Sequence, residues 1–548
     1  MKVSLFSTVA ICCFFLLSAK SSLILLPDSF IQCLSEYQFS SPNSSVLSVV
    51  YARTNTSYQS ILDSAIPNYR FLSSSAPKPL AIITPLLYSH VQATVICSRE
   101  NRLQIRIRSG GHDFEGLSYR SQVPFIILDL RNLRSIRVDI ENETAWVESG
   151  ATIGELYYAV AQESPVHGFP AGTAPVVGVG GHFSGGGNSY LNRKHGLSAD
   201  NVVDAIVVDF RGRILNKESM GSDFFWAIRG GGGASFGVIL SWKINLVRVP
   251  PVVTVFRLAK TFKQNAIGLV HKWQYIAPHL PDDLTIAVAI QRFGPLSTPT
   301  ATFNSLFLGR TEELLKMMEE SFPELELSKH DCKEMSWVES ALTLSEYPDQ
   351  FSIEVMKNRS YSPFDANVKL KIDLVQQPLP CVAVQQLWKW CSEVEYPRLQ
   401  LHPYGGTMGR ISESRIPFPH RKGVLFEIMY IESWFNDEDG KDSEKYMNQV
   451  RGLYEFMTPY VQSNPRGGYV NGIDLDLGTN GNDPWGASYS KAKASWGSMY
   501  FKSNFEKLAM VKAKVDPTNF FFYEQSIPPL LFSSPESRNC RKGNFASV

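Results

Sequence analysis

The chain has almost no net charge, and this excludes the partners that a strong charge of one sign would attract. Its 548 residues carry 53 lysines and arginines against 52 aspartates and glutamates, so the formal net charge at pH 7 is +1. Binding to nucleic acid or to an anionic membrane surface draws on an excess of basic side chains. The sequence has no such excess, and we expect a small-molecule partner.

Long apolar runs are also scarce. Beyond the amino terminus, no segment reaches the roughly 20 apolar residues that a membrane-spanning helix requires. Lys2, the apolar run 9–17 and the small residues Ser18 and Ala19 form the three-part pattern of a secretory signal peptide. We therefore predict a signal peptide over residues 1–22, no membrane span, and a final location in a vacuole, in ER-derived vesicles or outside the cell.

Cysteines at metal-binding spacing are missing. No C-x-x-C motif occurs, so no metal site is predicted. Beyond the signal peptide an oxidising compartment permits disulfides between the six remaining cysteines, but spacing alone does not pair them. These are Cys33, Cys97, Cys332, Cys381, Cys391 and Cys540. Acceptor sequons for N-glycosylation agree with secretion and lie at Asn43, Asn55, Asn142 and Asn358.

The common nucleotide-binding fingerprints G-x-G-x-x-G and G-x-x-x-x-G-K-[ST] are absent. The chain has glycine turns of another kind. The first, Arg108-Ser-Gly-Gly-His-Asp-Phe-Glu-Gly-Leu-Ser-Tyr119, follows an apolar alternation over residues 103–107 that predicts a strand. The second, residues 169–187, is so rich in glycine that we predict a loop wrapped around a cofactor rather than a strand or helix.

The first turn combines two chemical groups. Gly110 and Gly111 let backbone N–H groups approach an anion closely, while His112 offers an imidazole nitrogen that can attack an electrophilic cofactor carbon. A phosphate together with a covalent tether predicts a flavin nucleotide.

The order of these motifs, followed by residues 226–233 and 236–239, resembles that of the plant berberine bridge enzyme-like flavoproteins. The resemblance extends from about Phe30 to Pro529 and includes the tail motifs 515–521 and 524–529. It implies a vanillyl-alcohol oxidase/PCMH-type fold with FAD as cofactor. The segments most similar to the branch that oxidises monoterpene indole alkaloids are residues 106–111, 145–154 and 271–276.

The resemblance also implies particular residue roles. His112 would bond to the 8α carbon of the isoalloxazine, and Cys33 would pair with Cys97. The residues expected around the pyrophosphate are Ser109, Gly110, Gly111, Asp113 and Ser118. Further predicted cofactor contacts are Gly116, Gly150, Ala174, Val177, Gly178, Gly180, Gly181, His182, Gly186, Asn188, Val238 and Asn471.

Two positions depart from or vary within the family pattern. Many relatives carry a second covalent link from a cysteine, but here Gly172-Thr-Ala-Pro175 has Ala174 at that place, so no thioether to flavin C6 can form. We expect a single covalent bond between the protein and the flavin.

Val177 occupies the position that gates the approach of oxygen to the flavin in the family. Bulkier Leu or Ile at this position favours dehydrogenases, so oxygen is the expected electron acceptor. Alternatively, Val177 is only a packing residue. Nearby His182 is a candidate group on the oxygen or flavin side.

Relatives that act on alcohols or phenols often carry tyrosines at three places, which here hold Phe114, Asn188 and Gly472. Alcohol oxidation needs a partner for the hydroxyl proton, whereas a neutral amine uses its own lone pair to expel hydride. The missing tyrosines therefore favour oxidation of an amine to an iminium. The alternative is that another group has taken over as base.

Two predicted catalytic residues fall where the side chains of relatives point into the substrate pocket. They are Glu427, within residues 425–429, and His402, within residues 401–406. A desolvated carboxylate has a pKa raised towards neutrality, so Glu427 could hold a cationic amine or take its proton. Each also has a structural alternative, a salt bridge for Glu427 and a backbone hydrogen bond for His402.

The predicted fold is α+β with two domains. Short strands at 80–84, 104–108, 125–130 and 145–149 alternate with helices at 91–100 and 153–163, and Pro250-Pro251 separate this part from the next. Longer strands at 285–291, 302–308 and 424–434, the last a central one, would form a sheet covered on one face by helices 311–321 and 383–394. We predict an FAD-binding domain of two subdomains over 30–250, a substrate domain with this antiparallel sheet over 251–465, and a return segment over 466–535 that completes the FAD domain.

The leading functional hypothesis is an FAD-dependent oxidase that removes hydride from a carbon next to a tertiary amine of an alkaloid, giving an iminium and H2O2. One alternative is a carbohydrate or aromatic alcohol oxidase of the same fold. Another is a flavoprotein that catalyses a cyclisation or cycloaddition, or only binds a ligand, without net redox change. The expected partners are the alkaloid and O2.

Overall fold

The computed structural model describes residues 25–37, 45–72, 77–294, 296–348, 350–360, 366–435, 437, 442–484 and 486–530. The predicted signal peptide, the sequon at Asn43 and Cys540 lie outside these residues. Among the residues described, no helix has both the length and the apolar character that crossing a bilayer demands.

The amino-terminal part contains a four-stranded sheet with strand order β1-β2-β4-β3. Its strands are β1 (Val50–Ala52), β2 (Ala81–Ile83), β3 (Gln104–Arg108) and β4 (Phe125–Asp129). β3 and β4 run parallel, as do β2 and β4. The accompanying helices are α1 (Asp28–Glu36), α2 (Tyr58–Asp63) and α3 (Tyr88–Glu100). A disulfide between Cys33 and Cys97 joins α1 to α3, so the predicted pairing is confirmed.

A second, antiparallel sheet has the order β5-β6-β10-β8-β9, and a separate two-stranded ribbon pairs β7 with β11. The strands are β5 (Ile136–Asp139), β6 (Thr144–Glu148), β7 (His167–Gly168), β8 (Val202–Val208), β9 (Ile214–Leu215), β10 (Val238–Asn245) and β11 (Val247–Arg248). β10 pairs with β6 and β8, and after Asn245 the chain changes partner, so that β11 pairs with β7.

The helices of this region are α4 (Ile153–Glu163), α5 (Val179–Ser184), α6 (Asn192–His195) and α7 (Lys217–Ile228). α4 has the predicted bounds because Thr152 and Glu155 cap its first turn reciprocally. The prediction that residues 169–187 form only a loop is wrong, since α5 lies inside that segment. Local composition misled the prediction, because burial of Val179 and Phe183 in the core stabilises the helical turn.

After Pro250-Pro251 the chain enters a seven-stranded antiparallel sheet with the order β15-β12-β14-β13-β17-β18-β16. Its strands are β12 (Val253–Thr261), β13 (Leu284–Gln291), β14 (Thr300–Phe307), β15 (Cys332–Met335), β16 (Asn367–Val375), β17 (Pro397–Pro403) and β18 (Phe426–Trp434). β18 pairs on both sides as predicted, but it lies next to the edge strand β16 rather than at the centre.

One face of this sheet is covered by helices. The helices in this part of the chain are α8 (Ala266–Ile276), α9 (Thr311–Ser321), α10 (Trp337–Leu344), α11 (Cys381–Glu393), α12 (Gly406–Arg410) and α13 (Ser443–Met457). Leu314 of α9 and Leu387 of α11 are fully buried in one apolar cluster with Ile286 and Tyr430 of the sheet. The prediction that these two helices cover a sheet face is therefore confirmed. We call the opposite face, which carries Glu427 and His402, the site face.

The carboxyl-terminal segment contacts the first two sheets. It contains α14 (Tyr489–Ala492), a π-helical turn (Lys493–Gly497), α15 (Ser498–Phe501) and α16 (Asn504–Val515). The fully buried Lys512 ammonium donates to the carbonyl oxygens of Ser235 and Phe521 at 2.6 and 2.7 Å. Glu524 pairs with Arg106 of β3 at 2.9 Å. These contacts agree with a return segment, while the domain boundaries stay predictions.

Candidate functional site

The two glycine turns lie directly against each other. A Cβ at Gly110 would overlap the backbone nitrogen of Gly178, and a Cβ at Gly178 would overlap the Ser109 hydroxyl, so only glycine permits this approach. The Ser109 hydroxyl in turn donates to the carbonyl oxygen of Ser149 at 2.6 Å. The structure thus brings together the first turn, the segment around Gly150 and the second glycine segment.

Helix α5 presents backbone to an open cleft. A Cβ at Gly181 would meet no atom within 4 Å, although its neighbours Val179 and Phe183 are fully buried. A third glycine segment, residues 226–233, contacts the end of this helix. The N–H groups of Gly230 and Gly232 donate to the Ser184 carbonyl at 2.8 and 2.9 Å. Three glycine-rich segments therefore surround one cleft.

His112 is held as a neutral imidazole in this cleft. Burial lowers the pKa of His112 to about 4, and its ring hydrogen-bonds to the backbone of Val176. With one ring nitrogen engaged there, the second carries a lone pair at neutral pH. The adjacent Asp113 carboxylate accepts N–H groups of Glu115 and Leu117, both at 2.9 Å. Its pKa is raised by burial to about 6.

These features fit FAD. The Ser118 hydroxyl is buried and has no partner among the described residues, which leaves a donor for a phosphate oxygen. Gly181 leaves backbone accessible to a cofactor, and the neutral His112 ring has the nucleophilic lone pair that a covalent tether requires. The residues present could therefore hold FAD across the three glycine segments.

His182 and Asn471 connect this cleft to the carboxyl-terminal segment. His182 Nε2 accepts the N–H of Gly172 at 3.0 Å, and burial lowers the pKa of His182 to about 4. The Asn471 amide donates to the His182 carbonyl and to the Tyr469 hydroxyl, both at 2.9 Å. His182 thus spans the second glycine segment, and Asn471 fixes α5 from the other side.

The other predicted cofactor residues have mixed surroundings. Gly111, Gly116 and Gly186 have φ values of 77°, 71° and 127°, so these turns favour glycine. Ala174 and Val177 are half-buried neighbours, and the Val177 N–H donates to the Ala174 carbonyl at 3.3 Å. Gly150 allows the Leu130 carbonyl to approach closely. Val238 differs, because its side chain is fully buried in the core and leaves only its backbone for a cofactor.

Glu427 lies on the site face with two donors on its carboxylate. The fully buried Tyr404 hydroxyl donates to Glu427 Oε2 at 3.1 Å, and the Asn188 side chain forms a second hydrogen bond. Burial raises the pKa of Glu427 to about 7, and these two hydrogen bonds lower it. Glu427 therefore exchanges its proton near neutral pH, and it has no salt bridge among the described residues.

His402 lies beside Glu427 in the β17–β18 register but is held by backbone. Its Nε2 and the Ser189 carbonyl are 3.0 Å apart, and Tyr190 packs edge-on against the ring. Burial lowers the pKa of His402 to about 4, so the neutral ring donates to that carbonyl. This arrangement orients the loop 188–190 over the sheet.

Two tyrosines near Glu427 were missed by the sequence analysis. Tyr404 is the first, and Tyr469 is the second; the Tyr469 oxygen accepts the N–H groups of Gly187 and Asn188 at 2.9 and 3.2 Å. Burial raises the pKa of both phenols well above its usual range, with Glu427 adding to the effect, so both are donors rather than bases. The spacing of Tyr404 two residues beyond His402 was the available signal.

Two family models match the chain. The model described as "FAD binding domain" matches residues 79–217, and "Berberine and berberine like" matches residues 468–528. Over 519 residues the chain is 54% identical to O-acetylstemmadenine oxidase from Catharanthus roseus, covering 94% of this chain and 96% of that relative. The chain belongs to the berberine bridge enzyme-like family.

Other members support the same placement. Tetrahydroberberine oxidase from Berberis wilsoniae is 49% identical over 543 residues, covering 97% of this chain and 99% of the relative. The solved structure of the berberine bridge enzyme-like protein 28 from Arabidopsis thaliana superimposes with a TM-score of 0.85 at 46% identity, covering 92% of this chain and all of that one. The predicted α+β fold of the vanillyl-alcohol oxidase type is confirmed, and this berberine bridge enzyme-like chain is an FAD-linked oxidase.

Proposed function

We propose that the protein oxidises a polycyclic alkaloid at a carbon next to a tertiary amine nitrogen, giving an iminium, while O2 is reduced to H2O2. The observation that carries this proposal is the buried Glu427, whose pKa of about 7 suits proton exchange with an amine. Relatives named as oxidases of O-acetylstemmadenine and tetrahydroberberine support the substrate class.

The protonation state of the substrate explains why the site needs a carboxylate. A tertiary amine reaches the site as an ammonium ion, and only its neutral form has the lone pair that expels hydride. Glu427 takes the N–H proton, after which the C–H bond breaks and the nitrogen lone pair forms the C=N bond. FAD, when bound, accepts the hydride and passes two electrons to O2. That hydride and the released proton convert one O2 into one H2O2.

The residues around Glu427 keep it in place for this step. Tyr404 and Asn188 donate to the carboxylate, which favours the ionised form that accepts a proton. Replacing an alcohol-type tyrosine by Asn188 thus supplies a hydrogen bond to the base. His402 acts on the loop that carries Asn188 and not on the reacting atoms.

Replacing Tyr404 by phenylalanine should move the acid limb of the pH profile upwards. Loss of the donor removes a hydrogen bond to the charged carboxylate, worth about 1.5–3 kcal/mol, and so raises the pKa of Glu427 by about one to two units. Because Glu427 acts as the ionised base, kcat/KM would fall below neutral pH and recover at higher pH. A pH profile of kcat/KM tests this; an unchanged limb would exclude Glu427 as the titrating group.

Val177 is proposed to leave a path for oxygen. It is half-buried near Ala174 within the second glycine segment, and its carbonyl accepts the N–H of Ile153, the first residue of α4, at 2.9 Å. Val177→Ile adds one methylene here and should slow reoxidation of the reduced enzyme by roughly tenfold or more, equal to about 1.4 kcal/mol. Stopped-flow mixing of the reduced enzyme with aerated buffer measures the rate of reoxidation. The rate of anaerobic reduction by substrate is the internal control. Equal slowing of both steps would indicate a packing role.

We also propose that FAD is attached through the neutral ring nitrogen of His112 alone, since Ala174 cannot form a thioether. Passage through the secretory pathway agrees with the disulfide and with the exposure of Asn55, Asn142 and Asn358, the sequons within the described part of the chain. The final compartment proposed is a vacuole, ER-derived vesicles or the extracellular space.

A second candidate function is alcohol oxidation, because Glu427 could also accept a hydroxyl proton. An anaerobic absorbance titration separates the two, using tetrahydroberberine, O-acetylstemmadenine, glucose and an aromatic alcohol, followed by air. Bleaching by the amines and recovery with H2O2 is the expected result. Bleaching by glucose or the alcohol alone would overturn the amine proposal, and bleaching by none would favour a non-redox flavoprotein.

A further inference from the structure

The oxygen of the Asn188 amide is occupied by two donors. Asn188 Oδ1 accepts the side-chain N–H of Asn192 at 2.7 Å and the backbone N–H of Ser189 at 2.9 Å. With both donors on the oxygen, the amide nitrogen is left to form the hydrogen bond with the Glu427 carboxylate. Asn192 therefore favours the orientation in which the Asn188 nitrogen meets the base.

The orientation of this amide matters because its two ends have opposite effects on a carboxyl group. An N–H donor stabilises the ionised carboxylate, whereas a carbonyl oxygen in the same place accepts a hydrogen bond only from the protonated acid. The two orientations have nearly the same shape, so the hydrogen-bond partners of the amide decide between them. A donor held on the Asn188 oxygen thus keeps Glu427 ready to accept a proton.

Asn192 is itself fixed in place. It is the first residue of α6, and it is fully buried, so its amide cannot turn into solvent. The next residue, the fully buried Arg193, donates to the carbonyl oxygens of Ala277 and Leu280 in the segment that follows α8. This anchor holds α6, and with it the Asn192 side chain, against the substrate-side sheet region.

The contact between the two asparagines is made at a cost to stability. The Oδ1 atom of Asn192 is buried and has no hydrogen-bond partner among the residues that the structure describes. A buried carbonyl oxygen without a donor destabilises the folded state, and such an exception calls for an explanation other than packing. An apolar side chain of similar size would fill the same space without this penalty. The hydrogen bond to Asn188 is what the amide adds.

The groups that face Glu427 from the neighbouring elements are uncharged at neutral pH. They are the imidazole of His402, the phenols of Tyr404 and Tyr469, the amide of Asn188, and the side chain of Leu374, the register partner on β16. The Arg421 guanidinium, which acts on Tyr404, is paired with Asp200 at 2.8 Å. Burial and hydrogen-bond donors therefore set the pKa of Glu427, and the donor from Asn188 has a measurable share.

We infer that Asn192 is a positioning residue for the base: it orients the Asn188 amide so that an N–H group, and not the oxygen, meets Glu427. Asn192 acts through Asn188 and not on the reacting atoms. This inference rests on the proposed role of Glu427 as the base and adds the residue that controls the protonation of that base.

Asn192→Leu removes the donor and the unpaired oxygen together. The pKa of Glu427 should rise by about one unit, because the Asn188 amide is then free to present its oxygen to the carboxyl group. The kcat/KM for a tertiary amine should fall about tenfold at pH 6 and stay unchanged at pH 9. The thermal unfolding temperature should not fall. A residue with a merely structural role would lower the unfolding temperature and leave the pH limb where it is.

A double-mutant cycle shows whether the effect passes through Asn188. Asn188→Leu removes the donor to Glu427 and should shift the limb at least as far as Asn192→Leu does. Adding Asn192→Leu to that variant should give no further shift, because the amide that Asn192 orients is gone. Asn448→Leu makes the same chemical change at an exposed position of α13 and should keep the wild-type profile. Additive shifts, or no shift in the Asn192→Leu variant, would overturn the inference.

Infrared spectroscopy of the resting holoenzyme separates this inference from the proposed function. The C=O band of the protonated Glu427 carboxyl group, identified by its loss in Glu427→Gln, reports the protonation of this residue without turnover. If its pH midpoint rises in Asn192→Leu while the kcat/KM profile does not move, the positioning role stands and Glu427 is not the base. An unchanged midpoint would overturn the inference whatever the activity.

Discussion

Glu427→Gln should lower kcat/KM for a tertiary amine by about 10²- to 10⁴-fold at neutral pH, the usual contribution of a positioned general base. Glutamine keeps the size of the side chain and can still bond Tyr404, but it cannot accept the ammonium proton. The wild-type limb near pH 7, set by the raised pKa of Glu427, should therefore be replaced by one that follows the free amine itself. Activity of the variant should recover at high pH, where the substrate is already neutral.

Glu432→Gln is the matched control. Glu432 lies on the same strand, β18, and is fully buried, but it belongs to the helix-covered face. Burial raises its pKa to about 9, so the group is already neutral at pH 7 and glutamine is nearly isosteric with it. This variant should keep wild-type kcat/KM. Equal losses in both variants would mean that the effect is structural, and a Glu427→Gln enzyme with full activity at pH 6 would exclude the base role.

The second large effect is expected at His112. Acid denaturation of the wild type should leave essentially all flavin on the precipitated protein, whereas His112→Ala should release it into the supernatant. The reason is that the neutral ring nitrogen of His112 is the proposed attachment atom, and Ala174 provides no second link. The variant should still bind FAD before denaturation, because the glycine cradle is unchanged. Absorbance of pellet and supernatant measures the distribution.

His330→Ala provides the comparison, since His330 is exposed in the turn before the edge strand β15 and should not affect the flavin. Release of free flavin from the wild type would show that no covalent bond exists. Retention of flavin by His112→Ala would place the attachment at another residue. Either result would leave the family assignment intact and correct only the tether.

Local patterns predicted many elements well. The bounds of β3, α4 and α9 agree with the sequence because each has a strong local signal: apolar alternation, a reciprocal cap, or an amphipathic stretch. The first glycine turn could also be identified from the sequence alone. A histidine in a glycine turn directly after a strand indicates a cofactor site without any tertiary information. The Cys33–Cys97 pairing came from the family resemblance and is present in the structure.

Tertiary contacts decided the places where prediction was wrong. Six residues of a glycine-rich segment form α5 because Val179 and Phe183 are buried against the core. The free energy of this burial cannot be inferred from the amino-acid composition of the segment. The sequence analysis placed no tyrosine beside Glu427. The folded chain nevertheless brings Tyr404 to the Glu427 carboxylate and Tyr469 to the backbone of Asn188, from segments far apart in sequence.

The sequence by itself determined the glycine turns, the tether candidate His112, the missing cysteine at Ala174 and the family, because these depend on residue identity and short-range geometry. Only the tertiary structure decided the state of Glu427, whose pKa depends on burial and on donors from Tyr404 and Asn188. The tertiary structure also decided that Ile372, Met429 and Gln400 lie opposite one another on the neighbouring strands β16, β18 and β17. Strand order and register are set by packing of the whole sheet, and no local pattern encodes them.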